Sequence, residues 1–375
     1  MFYMERDSLS ILGEGECGYE SAICPPVFLS STFESGGNYS YSRCSNPTRS
    51  ALERECAALE GGSFAFAFSS GLAAINSVFS LLKSGDRVIV SDDLYGGTYR
   101  LITELFSNYG IEFVFADLCS QSEAERAISN GAAMVFAESP TNPMMKIADI
   151  AFLASLCKQK GALLAVDNTF LSPYFQNPLA LGADIAVHSA TKFISGHHDS
   201  VAGVAVTDSE AIASRLSLIS KTLGNALSPF DSWLVLRGIR TLPLRMEKHQ
   251  RNAFAAAELL KSSSEVESVI FPGLCEHSGH ELCKRQARGF GGVVSFTVKS
   301  TETAKRILRG GKIIKFAESL GGFRSLITYP MTQTHYSIPK EMRERIGITD
   351  RLFRLSVGLE NEKDIICDLE RMLGT

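Results

Sequence analysis

Through the first two thirds of the chain, short apolar runs recur, each followed by glycine and small polar residues. Phe64 to Phe68, Arg87 to Val90, Ala132 to Ala137, Ala162 to Val166, Ile185 to Val187 and Val201 to Val206 are brief, with small, β-branched or aromatic residues, as buried strands have. Between them the spacing turns helical. Pro47 opens one such stretch, with Thr48 as a candidate cap and Leu52, Cys56 and Leu59 recurring before Gly61-Gly62 stops it. Ser69-Ser70-Gly71-Leu72 opens a second over Ala73 to Leu82, and Ile147 to Lys160 makes a third that ends at Gly161. Strands alternating with helices predict an α/β fold around a mostly parallel sheet.

The pattern changes on either side of this region. Residues 1–45 mix Gly, Ser, Cys and Pro with little periodicity and predict an irregular arm, which would pack on a neighbouring subunit because it cannot bury itself. Beyond about residue 240, Leu242 to Leu260 is helical and charged. Val293 to Val298, Thr303 to Leu308 and Ile313 to Phe316 then predict a smaller α+β domain. The expected division is an arm (1–45), a large domain (46–240) and a C-terminal domain (241–375). Near the end, Phe353, Leu355, Val357 and Leu359 alternate with Arg354, Ser356 and Gly358. A strand would put Arg354 on the face opposite the apolar set, placed either to clamp a carboxylate or simply to face solvent.

Candidate chemistry collects after the predicted strands. Lys192 follows Ser189-Ala190-Thr191 between two apolar runs, where lost hydration favours the neutral amine that forms a Schiff base with an aldehyde. The hydroxyls of Ser189 and Thr191 suit an anion such as phosphate, and aldehyde with phosphate suggests pyridoxal phosphate. Asp167 falls at the carboxyl end of its strand, where it would keep the ring nitrogen protonated; capping the next turn is its ordinary alternative. The helix start at Gly71 offers backbone N–H groups to a phosphate. Tyr95, beside Gly96-Gly97, could stack on a flat ring, and Asn142 follows a further strand. Tyr41 and Arg43, two apart in an extended stretch, place a phenol and a guanidinium on one side and suit an anion.

Composition narrows the partners. The 375 residues are 45% hydrophobic and 21% charged, with a net charge of −4 and no basic tract, so a nucleic-acid partner is not expected. No apolar run approaches a membrane span, and the start lacks a secretory pattern. The nine cysteines are scattered without a C-x-x-C pair, which predicts reduced thiols and a cytoplasmic protein. His188, His197, His198 and Asp199 match no metal-site spacing; cofactor-shell and core roles are expected, with no metal.

These residues closely resemble the pyridoxal-phosphate enzymes of cysteine and methionine metabolism, the cystathionine γ-synthase/β-lyase family. The resemblance is carried by YSR at Tyr41, NPTR at Asn46, SSGLAA at Ser69, DLYGGTYR at Asp93, ESPTNP at Glu138 and VDNTFLSP at Val166. HSATK at His188, GHHD at Gly196, SPFDSWLVLRG at Ser228, AESLGG at Ala317 and RLSVGLE at Arg354 continue it in family order.

The resemblance implies an aminotransferase-like (type I) fold with a seven-stranded-type sheet and pyridoxal 5'-phosphate as cofactor. It implies that Lys192 carries the cofactor and moves protons, that Asp167 pairs with the ring nitrogen, and that Tyr95 stacks on the ring and shares in catalysis. Asn142 would lie near the ring hydroxyl, while Gly71, Leu72, Ser189 and Thr191 would hold the phosphate. Leu72 stands where many relatives have methionine, which a backbone contact tolerates. Tyr41 and Arg43 would reach the phosphate of an adjacent subunit, implying a dimer of dimers. Arg354, with Ser319, Asn142, Glu318 and Thr334, would bind the substrate. Gly97 and Glu318 depart from the methionine γ-lyase pattern, and Cys44 stands where synthases and one group of β-lyases often carry a second arginine. The runs from Ser228 and Ile327 are most similar to β-lyases of Gram-positive bacteria. The expected activity is therefore a carbon–sulfur lyase acting on L-cystathionine, with γ-elimination or γ-replacement as the alternatives.

Overall fold

The computed structural model describes residues 5–12 and 22–374. Part of the arm, including Cys17, lies outside the described residues. Seven strands form the larger sheet: β1 (Phe64–Phe68), β2 (Arg87–Ser91), β3 (Glu112–Ala116), β4 (Met134–Glu138), β5 (Leu163–Asp167), β6 (Ile185–His188) and β7 (Gly203–Thr207). Their spatial order is β1-β7-β6-β5-β4-β2-β3. The ladders joining β3, β2, β4, β5 and β6 are parallel, and β7 runs antiparallel to both of its neighbours. The fold is thus the expected α/β type.

The sheet is covered on both faces, which explains why its strands read as continuous apolar runs. Met134 and Phe136 of β4 join one core with Val88, Val90, Ile185 and Val187, while Val135 and Ala137 join another with Ile89, Leu164 and Val166. Alternate residues of each strand therefore point to opposite helical layers. Of the helices, α1 spans Arg6–Leu12, α2 Pro47–Glu60 and α3 Gly71–Phe79. Ala74, Val78 and Phe79 of α3 fill the first core, and Ile150, Leu153 and Leu156 of the helix Ile150–Lys160 fill the second.

The smaller sheet comprises β8 (Val266–Ile270), β9 (Val293–Val298), β10 (Lys315–Phe316), β11 (Leu326–Thr328) and β12 (Leu352–Ser356), in the order β10-β11-β12-β9-β8. Phe353 and Leu355 face a core shared with helices Leu242–Ser262 and Glu362–Leu373. The opposite face carries Arg354 in register with Thr328 on one side and Ser295 on the other. All three are buried, because this face turns towards the larger sheet: Ser295 Oγ donates to Pro143 O at 2.7 Å. The solvent-facing alternative for Arg354 is excluded.

Several boundaries differ from the sequence pattern for identifiable reasons. Asn46, not Thr48, caps α2, accepting from the N–H groups of Thr48 and Arg49. The Thr48 hydroxyl is committed to Pro26 O and Phe28 N. The third helix starts at Ile150 because Asp149 accepts from Phe152 N. Strand β7 starts at Gly203 because Ala202 bonds the Thr191 hydroxyl through both its N–H and its carbonyl. Lys312 to Ile314 form no strand, since their three N–H groups turn onto the Asp368 carboxylate. The arm also contains α1, where an irregular path was expected. It packs on its own chain, with Arg6 donating to Leu59 O and Pro173 O and Arg240 donating to Ser10 O.

Candidate active site

The carboxyl ends of β4, β5 and β6 and the polar face of the smaller sheet enclose a cavity of about 340 Å³. The site therefore lies where open α/β sheets place their ligands. Among the described residues lining it, Lys192 is the only lysine. Its Nζ donates to Ser319 Oγ at 2.9 Å. Burial, and then the Arg354 charge, bring its pKa down to about 8, with Glu318 acting in the opposite sense. Ser319 holds a φ of 113°, a left-handed value that non-glycine residues avoid; the surrounding loop holds it in this strained conformation at the lysine.

Arg354 is 1% exposed. Nη1 donates to Asn142 Oδ1 at 2.8 Å, and Nη2 donates to Ser319 O and Thr328 Oγ1 at 3.0 and 3.1 Å. Among the described residues Nε is buried without a partner, so the guanidinium retains donor capacity. A buried cation with spare donors suits a carboxylate, which also restores its charge balance. Thr334 lines the cavity nearby, and its hydroxyl bonds the ring of His335. His335 Nε2 in turn meets Asn142 O at 2.9 Å.

Asp167 ends β5 and is 8% exposed. Its Oδ1 accepts from Thr169 N at 3.0 Å and Thr169 Oγ1 at 2.5 Å. Among the described residues no donor reaches Oδ2, which stays available to a further N–H. Burial raises the Asp167 pKa, opposed by the Thr169 bonds and by His188. Glu138, its neighbour across the β4–β5 ladder, accepts from Tyr95 N at 3.0 Å. Burial, and then Asp167, hold the Glu138 carboxyl well above the usual range.

Tyr95 is 39% exposed at the cavity, and burial followed by Glu318 raises its pKa, so the phenol keeps its proton near neutrality. A Cβ at Gly97 would stand 2.4 Å from Tyr95 Cε1, so glycine lets the ring lie where it does. At the opposite end, Ser70 caps α3 and the Gly71 and Leu72 N–H groups open its first turn, where helix amides lack intrahelical acceptors. A Cβ at Gly71 would meet Ser189 Cβ at 2.7 Å, so a side chain there would close this corner.

The structure thus brings Gly71, Leu72, Tyr95, Asn142, Asp167, Ser189, Thr191, Lys192, Glu318, Ser319, Thr334 and Arg354 to one cavity. It does not bring Tyr41 and Arg43 there. Both are exposed, with the Arg43 guanidinium 5.5 Å from the Tyr41 ring and donating to Lys221 O. His188 lies in the core against Glu60, and His198 packs beside Phe323 and Gly322 outside the cavity. Sequence reasoning missed Ser70, Glu138 and Thr169 as lining residues. Glu138 had a signal, since it directly follows the predicted strand Ala132 to Ala137, as Asp167 follows Ala162 to Val166.

The donor set fits pyridoxal phosphate. One cavity holds an amine for its aldehyde, a carboxylate with a free oxygen for its ring nitrogen, a phenol beside the space for its ring and a helix start with hydroxyls for its phosphate.

Comparison with known proteins agrees. A family model described as Cys/Met metabolism PLP-dependent enzyme matches residues 12–374. A cystathionine gamma-lyase of Dictyostelium discoideum is 47% identical over 359 residues, covering 94% of this chain and 93% of the relative. A cystathionine beta-lyase of Lactococcus lactis is 46% identical over 357 residues, covering 94% of each chain. The solved structure of cystathionine gamma-lyase from Lactobacillus plantarum complexed with L-serine matches with a TM-score of 0.97, 40% identity and 99% of both chains covered.

Proposed function

This chain belongs to the Cys/Met metabolism PLP-dependent enzymes, and we propose that it is a lyase converting L-cystathionine to homocysteine, pyruvate and ammonia. The observation that supports this best is an amine of lowered pKa, held by Ser319 in the same cavity as a buried arginine. Pyridoxal phosphate, when bound, supplies an aldehyde for the substrate amine and a ring that takes up the electrons left when Cα loses its proton. Lys192 would hold it, Asp167 would pair with its nitrogen, Tyr95 would cover its ring, and Gly71, Leu72, Ser189 and Thr191 would receive its phosphate. The Thr191 hydroxyl now donates to Ala202 O and would change partner to do so.

Arg354 binds the substrate α-carboxylate, with Asn142 and the Ser319 carbonyl fixing the guanidinium plane. That fixes which bond at Cα stands ready to break. Lys192 then removes the Cα proton as general base. The departing thiolate needs a proton, and the protonated Tyr95 phenol and the Lys192 ammonium are the donors facing the cavity. Tyr41 and Arg43, outside their own cavity, would complete the phosphate site of a second subunit in a dimer of dimers.

A second reading, γ-elimination, is favoured by a specific observation: relatives named cystathionine gamma-lyase are as similar as those named beta-lyase. It requires Lys192 to remove a Cβ proton as well, with the same residues. Incubation with L-cystathionine and identification of the keto acid separates the two. Pyruvate with homocysteine is the expected result. Oxobutyrate with cysteine would transfer the chain to the γ-lyases, and no keto acid, with turnover of an acylated homoserine and cysteine, would make it a synthase.

A further inference from the structure

The helix Leu242–Ser262 carries a buried arginine that the chemistry above does not use. Arg245 is 4% exposed, and burial lowers its pKa to about 10, so it stays charged near neutrality. A buried charge ordinarily sits against one of opposite sign. Arg245 instead donates from Nη1 to Phe193 O at 2.6 Å, and from Nη2 to Ile194 O at 3.1 Å and Gly238 O at 2.8 Å. Its Nε donates to Thr241 Oγ1 at 3.0 Å. Phe193 and Ile194 directly follow Lys192. We propose that Arg245 is a positioning residue for Lys192, holding in place the turn from which the lysine reaches the cavity. This rests on the reading of Lys192 as the base.

Beyond β6 the chain winds through Ser189 to Gly196. Lys192 N donates to Ser189 O at 3.1 Å, Ser195 N to Ala190 O at 2.9 Å and Gly196 N to Lys192 O at 2.8 Å. Gly196, at a φ of 72°, ends the turn as a left-handed residue ends a helix. A helical end leaves its last carbonyls without N–H partners, and the two that follow Lys192 O are those that Arg245 takes. A Cβ at Gly196 would overlap the guanidinium, so glycine leaves the arginine its place. Gly238 belongs to the helix Pro229–Ile239, and a Cβ there would overlap the Ser195 backbone. One guanidinium thus clamps the lysine's turn between two helices. The same helix face also holds the carboxylate side of the site. One turn on from Arg245, the His249 ring lies edge-on to Phe193 at 5.2 Å, with Nδ1 2.6 Å from Val357 O. Asn252 Nδ2 donates to Gly358 O at 2.9 Å. Val357 lies three residues beyond Arg354, so the base and the carboxylate clamp are both registered on this helix.

The test measures kcat and KM for L-cystathionine, per bound cofactor, in holoenzyme carrying Arg245→Ala and, in parallel, Arg245→Lys. Misplacing a reacting group by about 1 Å can cost about 10²-fold, so Arg245→Ala is expected to lose about 100-fold in kcat. Arg245→Lys is expected to lose about tenfold, because an ammonium cannot meet three carbonyls in guanidinium geometry. KM should stay within about twofold of the parent in both, since Arg354 keeps its own partners and the loss falls on the reacting step. Guanidinium ion at millimolar concentration should restore part of the rate to Arg245→Ala, where sodium at equal ionic strength should not. Cofactor-free Arg245→Lys should also take up pyridoxal phosphate about tenfold more slowly, followed by the absorbance of the bound cofactor. An arginine that only stabilised the fold would lower the thermal midpoint and leave kcat, KM and the uptake rate at parental values. That result would overturn the proposal, and Arg245→Lys decides the matter if Arg245→Ala does not fold. A Lys192→Ala control separates the two levels. If it turns over as the parent does, the reading of Lys192 has failed; if it is inactive while the Arg245 variants match the parent, only the present inference has.

Discussion

Replacing Lys192 with alanine is expected to lower kcat by about 10⁴-fold while leaving the fold intact. General acid–base catalysis alone accounts for factors of about 10² to 10⁴, and Lys192 is also the only lysine among the described cavity-lining residues. The stability of the protein should not suffer, because burial already disfavours the lysine charge and its ammonium makes one hydrogen bond, to Ser319. Steady-state turnover together with the thermal midpoint checks both halves. A small primary amine added to the variant should restore part of the rate, because it supplies the missing base without the tether. Full turnover by Lys192→Ala would remove the base from the mechanism.

The second large effect belongs to Arg354. In Arg354→Ala, kcat/KM is expected to fall about 100-fold, which is about 3 kcal/mol, the range for truncating one member of a buried charge pair. Lysine should not rescue it, since a point charge cannot reproduce the guanidinium geometry that meets Asn142, Ser319 and Thr328 at once. A pH signature accompanies the loss. The Arg354 charge is one cause of the lowered Lys192 pKa. Its removal lifts that pKa above about 8, leaving less neutral amine at any given pH. Uptake of pyridoxal phosphate by the cofactor-free variant should therefore need a higher pH than in the parent. An unshifted uptake profile would mean that the two side chains are electrostatically independent.

The site residues differ in how far sequence alone could place them. Asp167, Asn142, Tyr95 and Lys192 were legible because each follows a β-branched or apolar run, and a parallel sheet gathers the residues at its carboxyl edge. Arg354 was legible only as a residue off the apolar face of its strand. Its burial depends on Asn142, Ser319 and Thr328, which are 212, 35 and 26 residues away, and periodicity says nothing about such partners. The contacts of Arg245 were hidden for the same reason, Phe193 and Ile194 lying 52 and 51 residues away. Asn46 and Thr48 are both suitable caps, and Pro47 in the first turn of α2 places the cap at Asn46. Helix α1 has seven residues, too few to display a period. Tyr41 and Arg43 were legible as neighbours, and the guanidinium lies 5.5 Å from the Tyr41 ring.

The account stands on the cofactor being held by one amine. Reduction of the holo protein with borohydride fixes the cofactor on the lysine it occupies, and digestion followed by mass analysis identifies that lysine. The label is expected on the peptide containing Lys192 and absent from Lys192→Ala treated in the same way. A label on any other lysine, or none on a protein that still turns over, would contradict the account at its centre.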